Sequence, residues 1–239
     1  MKFYLLRCVD PAAKYWLRNT LSPKNQIKDG FFDLGYVGSH LTTIPTLPPL
    51  SQLQTHPIDK SREILLVDST HDDKLSALIA SARKVVAGLD TERLGKLALY
   101  KEIACLVSDF MGGKLNPHQV HQVPYKIKIT ELKLTNKSNV LLIGNVHVGV
   151  WYHRALLFKT VLDRLGVACS LIRGDYARAW NTVDISKGEI LKFTGEEAKE
   201  VLEGVSLGEE VPCVVDLCFE PGKLYCIGTR PAEEYTRIQ

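Results

Sequence analysis

The stretch Gly149-Val150-Trp151-Tyr152-His153-Arg154 opens an amphipathic run that continues to Leu165 and stops at Gly166. A thiol gains most reactivity at a helix start of this kind, because the positive helix end lowers its pKa. The residue there is Trp151, and an indole offers only an N–H donor. His153 and Arg154, in the first turn, are residue types that hold an anion at a helix N-terminus. Arg154, Arg173 and Arg178 carry the planar guanidinium suited to carboxylate or phosphate.

Six cysteines, Cys8, Cys105, Cys169, Cys213, Cys218 and Cys226, fall mostly within apolar patterns and make no C-x-x-C spacing. They read as free thiols of a reducing, cytoplasmic compartment. Cys169 is nearest in sequence to the helix start, but its pattern places it mid-strand. Cys105 lies on a helical apolar stripe, which predicts burial. His118 and His121, with His147 and His153, lack an acidic partner at ligand spacing, so no metal is expected. Gly144-Asn145 and Gly149 make no phosphate-binding signature, and no cofactor is expected. Arg173-Gly174-Asp175 spells an adhesion tripeptide, read as coincidence in a reduced protein.

Elements around these residues follow from punctuation and periodicity. Asp10-Pro11 is a helix start, with Trp16 and Leu17 apolar and Ser22-Pro23 as the stop. Gly30 to Leu34 reads as a short strand or turn. Val37 to Asp59, with four prolines, is an irregular connection. Glu63 to Asp68 is a buried strand. Asp72 and Asp73 cap a helix that Gly88 stops. A second helix runs from about Thr91 to Met111. Tyr125 to Leu134 alternates apolar and polar, which predicts a half-buried strand. Val140 to Gly144 is a further strand, followed by the helix from Trp151. Ala168 to Ile172, Trp180 to Ile185, Val211 to Cys218 and Lys223 to Ile227 read as strands. Glu189 to Gly208 is a charged, helix-prone surface insertion. The order is α+β, without alternating βαβ units. It predicts one domain over 1–239, with a mainly helical lobe at 1–113 and a core helix plus antiparallel sheet at 114–239.

The totals constrain partners. The 239 residues are 45% hydrophobic and 24% charged, with a formal net charge of +3. A chain this long buries roughly 70% of its extended surface. Basic residues are interspersed with acidic ones, which argues against nucleic acid as a partner. No apolar run reaches the ~18 residues of a membrane span, and the start MKFYLLRC lacks a signal-peptide h-region and cleavage site.

Gly149 to Gly174 resembles the core of the transglutaminase-like, papain-type fold, in which a glycine, a cysteine at a helix start and an apolar helix lead to a strand. The likeness extends through Lys28 to Phe32, Pro48-Pro49-Leu50, Glu63 to Asp68, Met111-Gly112-Gly113, Tyr152 to Lys159, Arg173 to Tyr176, Arg178 to Val183, Val214 to Leu217 and Pro221-Gly222. Over most of 10–235 the chain resembles the peptidase-like domain of the plant enhanced-disease-resistance and constitutive-triple-response kinases. It is closer still to the C-terminal domain of armadillo repeat-containing protein three. The armadillo repeats and the kinase of those proteins do not occur in these residues.

The resemblance implies a nucleophile position at Trp151, a base position at Arg178 before Ala179-Trp180, and an orienting acid at Asp216. A guanidinium stays protonated and cannot act as the base; an Arg178–Asp216 ion pair would stand in for a His–Asp pair. The implied function is a non-catalytic pseudoenzyme acting as a protein-interaction or scaffold module, in a ciliary or flagellar setting. Two alternatives stand beside it. One is a cysteine hydrolase using a displaced thiol such as Cys169. The other is a sensor holding an anionic ligand in the residual cleft, with His153, Arg154, Arg173, Tyr176 and Trp180 as the binding set.

Overall fold

Local signals and long-range pairing together set the architecture of this computed structural model. The structure describes residues 10–35, 47–54, 62–175, 178–193, 202–203, 206 and 209–237, without the side chains of 91–94, 119, 121, 192 and 193.

Helix α1 spans Pro11–Arg18, and the Asp10 side chain accepts from Ala12 N. It ends at Asn19, whose φ of 55° takes the chain left-handed, so it stops short of Ser22-Pro23. Ala12 and Tyr15 are its buried residues, while Leu17 is 41% exposed. Strands β1 (Thr20–Leu21) and β2 (Phe31–Asp33), helix α2 (Leu50–Leu53) and strand β3 (Ile64–Val67) follow. Helix α3 (Asp73–Gly88) starts at Asp72, which accepts from Leu75 N. Helix α4 (Thr91–Phe110) kinks at Gly95, where φ is 74°. Past the kink, Leu97 N donates to the Glu189 carboxylate.

Tyr125 to Leu134 is not a strand. It lies in helix α5 (Tyr125–Asn136), after a 3-10 turn at Pro117–Gln122. The alternation conceals a helical stripe, since Ile129 and Lys133 are the buried pair and Ile127 and Leu134 are 61% and 62% exposed. Strand β4 (Val140–Leu142) and helix α6 (Trp151–Arg164) come next. After them run β5 (Leu171–Arg173), β6 (Ala179–Ser186), α7 (Lys187–Phe193), β7 (Glu210–Val215) and β8 (Leu224–Cys226). Most of 194–208 lies outside the described residues. A last helix, α8 (Arg230–Arg237), was not legible from periodicity, yet Thr229 and Pro231 give it a start.

The expected α+β class holds, with a five-stranded antiparallel sheet in the order β1-β5-β6-β7-β8. A second sheet of order β2-β3-β4 was not anticipated; β3 and β4 pair in parallel, Leu65 opposite Leu141. Both sheets draw strands from either side of residue 113. Helix α6 lies against β5, β6, α3 and α4, and every residue from Tyr152 to Leu162 is buried. Its one buried ammonium, Lys159, donates to Asp163, whose other oxygen accepts from Ile27 N.

Candidate functional site

The N-terminus of α6 opens on a cleft of about 1260 Å³. Val150 and Trp151 form its floor, Tyr125, Lys126 and Ile127 of α5 one wall, and Thr236 and Arg237 of α8 another. Gly174, Asp175 and Arg178, from the β5–β6 connection, and Trp180 of β6 close the rim. Gly174 is confined here, because a Cβ at that position would sit 2.5 Å from the Trp180 ring.

Trp151 is half-buried. The Arg178 guanidinium carbon lies 3.6 Å from the centre of its indole, and Phe219 packs edge-on at 6.5 Å. A cation over an indole face is an attractive contact, stronger when desolvated. Arg178 is only 8% exposed; burial lowers its pKa, but a guanidinium keeps its proton. The indole Nε1 is buried without a hydrogen-bond partner.

Asp216 does not line the cleft. It is wholly buried. One carboxylate oxygen accepts from Cys218 N and Phe219 N at 2.7 and 2.8 Å. The other accepts from Glu220 N and the Tyr225 hydroxyl at 2.9 and 3.1 Å. Four bonds fill the acceptor capacity of a carboxylate. The expected Arg178–Asp216 ion pair is therefore replaced by two separate arrangements. Arg178 stacks on Trp151, and Asp216 ties the turn that carries Phe219.

His153 and Arg154 face inward, away from any ligand. His153 Nδ1 accepts from Val150 N at 3.2 Å, which leaves Nε2 to carry the proton toward Glu63, 3.2 Å away. Burial pushes the His153 pKa down, matching that neutral form. Glu63 also accepts from the Tyr152 hydroxyl. Burial alone would raise its pKa, but bonds from His153 and Tyr152 and the charge of Arg62 hold it at about 2. This pair has the look of a base and its orienting acid, but neither imidazole nitrogen is open.

Arg154 is fully buried and uses all five N–H donors. Nε donates to Gly149 O, Nη1 to Ser108 Oγ and Leu217 O, and Nη2 to Met111 O and Gly113 O, at 2.7–3.2 Å. It clamps α6 to the end of α4, to the Gly112-Gly113 turn and to the segment after β7. Arg173 is likewise committed, donating to Asp33 and Asn19 and lying over the Tyr15 ring. Of the expected binding set only Trp180 reaches the cleft, and Tyr176 lies outside the described residues.

Among the described residues, the Cys218 thiol packs in one apolar cluster with Phe219 and Tyr235, against Trp151. Its place after Asp216 on a strand end gave no sign of that. Burial pushes its pKa up to about 12, and does the same to Cys169. Cys105, expected to be buried, is partly exposed, with its thiol against Pro221 O. His118 and His147 are exposed, and among the described residues no three His, Cys, Asp or Glu gather in a metal-binding group. No helix among them is long and apolar enough to cross a membrane.

Known proteins bear on this geometry. The chain is 40% identical to human armadillo repeat-containing protein 3 over 58% of its length, covering 15% of that protein. It is 29% identical to the Arabidopsis thaliana probable serine/threonine-protein kinase SIS8 over 89% of its length, and 26% identical to the kinase CTR1 of the same plant over 67%. These matches take in 19% and 20% of the two kinases, so the chain spans at most a fifth of the relatives. No solved structure is significantly similar. A family model described as EDR1/CTR1/ARMC3, peptidase-like, matches residues 9–225. With that match covering nearly the whole chain, the protein belongs to the EDR1/CTR1/ARMC3 peptidase-like family.

Proposed function

We propose that this domain is a non-catalytic member of its peptidase-like family, with a transglutaminase-like core, and that it serves as a protein-interaction or scaffold module. One observation carries the reading. Where a papain-type site needs a thiol and an imidazole, an indole stands under a guanidinium, 3.6 Å apart. Neither group takes up or gives a proton near neutral pH. The degenerate triad is Trp151, Arg178 and Asp216. The alternative of a displaced nucleophile loses support from the raised pKa values of Cys169 and Cys218. The alternative of an anion sensor loses support from the internal bonds of Arg154 and Arg173.

We read 1–239 as one folding unit in a cytoplasmic setting, with protein and not nucleic acid as the partner. The family resemblance adds a cilium or flagellum. The test is hydrolysis of peptide, amide and ester substrates by purified protein. The expected result is no turnover above the uncatalysed rate. Turnover that disappears in Cys218→Ser or Cys169→Ser would overturn the reading. Affinity capture from ciliated tissue, compared with a tissue lacking cilia, tests the setting; equal recovery of the same proteins from both would remove it.

A further inference from the structure

Strands β7 and β8 pair antiparallel with Cys213 directly opposite Cys226. Ile227 N donates to Pro212 O and Asp216 N to Lys223 O. These fix the alternation of the ladder, so Cys213 and Cys226 occupy a position without hydrogen bonds between the two residues. At such positions the Cα atoms lie about 4.5 Å apart and the side chains share one face. The two sulfurs are 3.6 Å apart and both thiols are free. A disulfide requires Cα atoms within about 4.4–6.8 Å, so closure needs little backbone movement. Among the described residues no other two cysteines share a contact of this kind.

We propose that Cys213 and Cys226 form a reversible internal disulfide, a modification site that staples β8 to β7. The Cys213 S–H donates toward Cys226 Sγ, which makes Cys226 the more acidic thiol of the two. The oxidant is a low-molecular-weight disulfide. The Cys226 thiolate attacks one of its sulfurs and expels a first thiol. Cys213, losing its proton, then attacks Cys226 Sγ and expels the second. Two cysteine thiols and one disulfide become one protein disulfide and two small thiols, so electrons and protons balance.

Both sulfurs are buried, but β8 is a three-residue edge strand followed by Ile227, which is 44% exposed. Edge strands of this size open locally at low cost. Past the turn after β8 comes α8, whose Tyr235 hydroxyl accepts from Leu217 N and whose Thr236 and Arg237 wall the cleft. The staple would therefore fix the strand from which one wall of the cleft is hung.

The experiment is titration of the full chain with glutathione disulfide at mildly alkaline pH, followed by peptide mapping without reduction. The expected product is a Cys213–Cys226 linked peptide with the loss of two hydrogens, reversed by dithiothreitol. Cys213→Ser should trap a mixed disulfide on Cys226. Wild-type mapping needs no variant, so a poorly folding variant does not spoil the result. Full glutathionylation of Cys105 with no 213–226 link would overturn the proposal. So would a link that forms only in denaturant.

Discussion

Replacing Arg154 by methionine separates a structural arginine from a ligand-binding one. Its guanidinium gives five hydrogen bonds to Gly149, Ser108, Leu217, Met111 and Gly113, and no carboxylate faces it among them. Removing it orphans three carbonyls and a hydroxyl, since Met111 O keeps the bond from Gly149 N, at about 1 kcal/mol each at the low end of the measured cost. Removing a buried charge returns part of this, because its desolvation was unfavourable by several kcal/mol. A net loss of about 3 kcal/mol follows. For a chain of this size each kcal/mol lowers Tm by roughly 2–4 °C, which gives a fall of about 6–12 °C. Calorimetry and urea denaturation measure it, and Arg154→Lys should fall between the two. An Arg154→Met protein that melts with the wild type would refute the clamp and return Arg154 to the candidate ligand contacts.

Trp151→Cys with Arg178→His should give a folded, destabilised protein whose new thiol is alkylated by iodoacetamide near neutral pH, with no peptide turnover. Filling the place of the indole with a small side chain costs about 3 kcal/mol, and the introduced imidazole finds no open oxygen on Asp216; measured peptidase turnover would contradict this. Stability should fall on acidification in two stages, read from urea midpoints across pH. His153 has a lowered folded pKa, so the unfolded chain binds its proton first and stability declines below about 6.5. Glu63, at about 2 when folded, adds a second loss below about 4.5 that Glu63→Gln should abolish. Gly222→Ala should destabilise by about 1–3 kcal/mol, since its φ is +87° and a Cβ would lie 2.7 Å from the Lys101 backbone; an unchanged urea midpoint would contradict the strain.

The helix from Trp151 was legible as an amphipathic run between two glycines, but such a run predicts one buried face, and the structure buries Arg154, Lys159 and Thr160 as well. Helix α5 was misread because its buried stripe is narrow. Only Ile129 and Lys133 are buried, and Ile127 and Leu134 filled out a false alternation from the solvent side. The second sheet was out of reach, since parallel pairing of Leu65 with Leu141 leaves no local signature in either strand. In the site, the sequence placed an indole at the helix start and a guanidinium before Ala179-Trp180, and the structure stacks one on the other. That His153 and Arg154 point inward depends on Glu63, Ser108 and Leu217, which no spacing rule brings near them.

Strand β1 pairs Thr20 with Ile172 and Leu21 with Leu171, and this has a consequence for the nascent chain. At synthesis rates of roughly 5–20 residues per second, residue 172 emerges about 8–30 s after residue 20. During that wait the large sheet lacks all its other strands, and β3 likewise waits for β4. Leu21, wholly buried in the finished protein, stays exposed with the apolar face of α1. Neither sheet can be completed until the second half of the chain is made, and premature release of the first half from the ribosome would leave an adhesive surface for chaperones to shield.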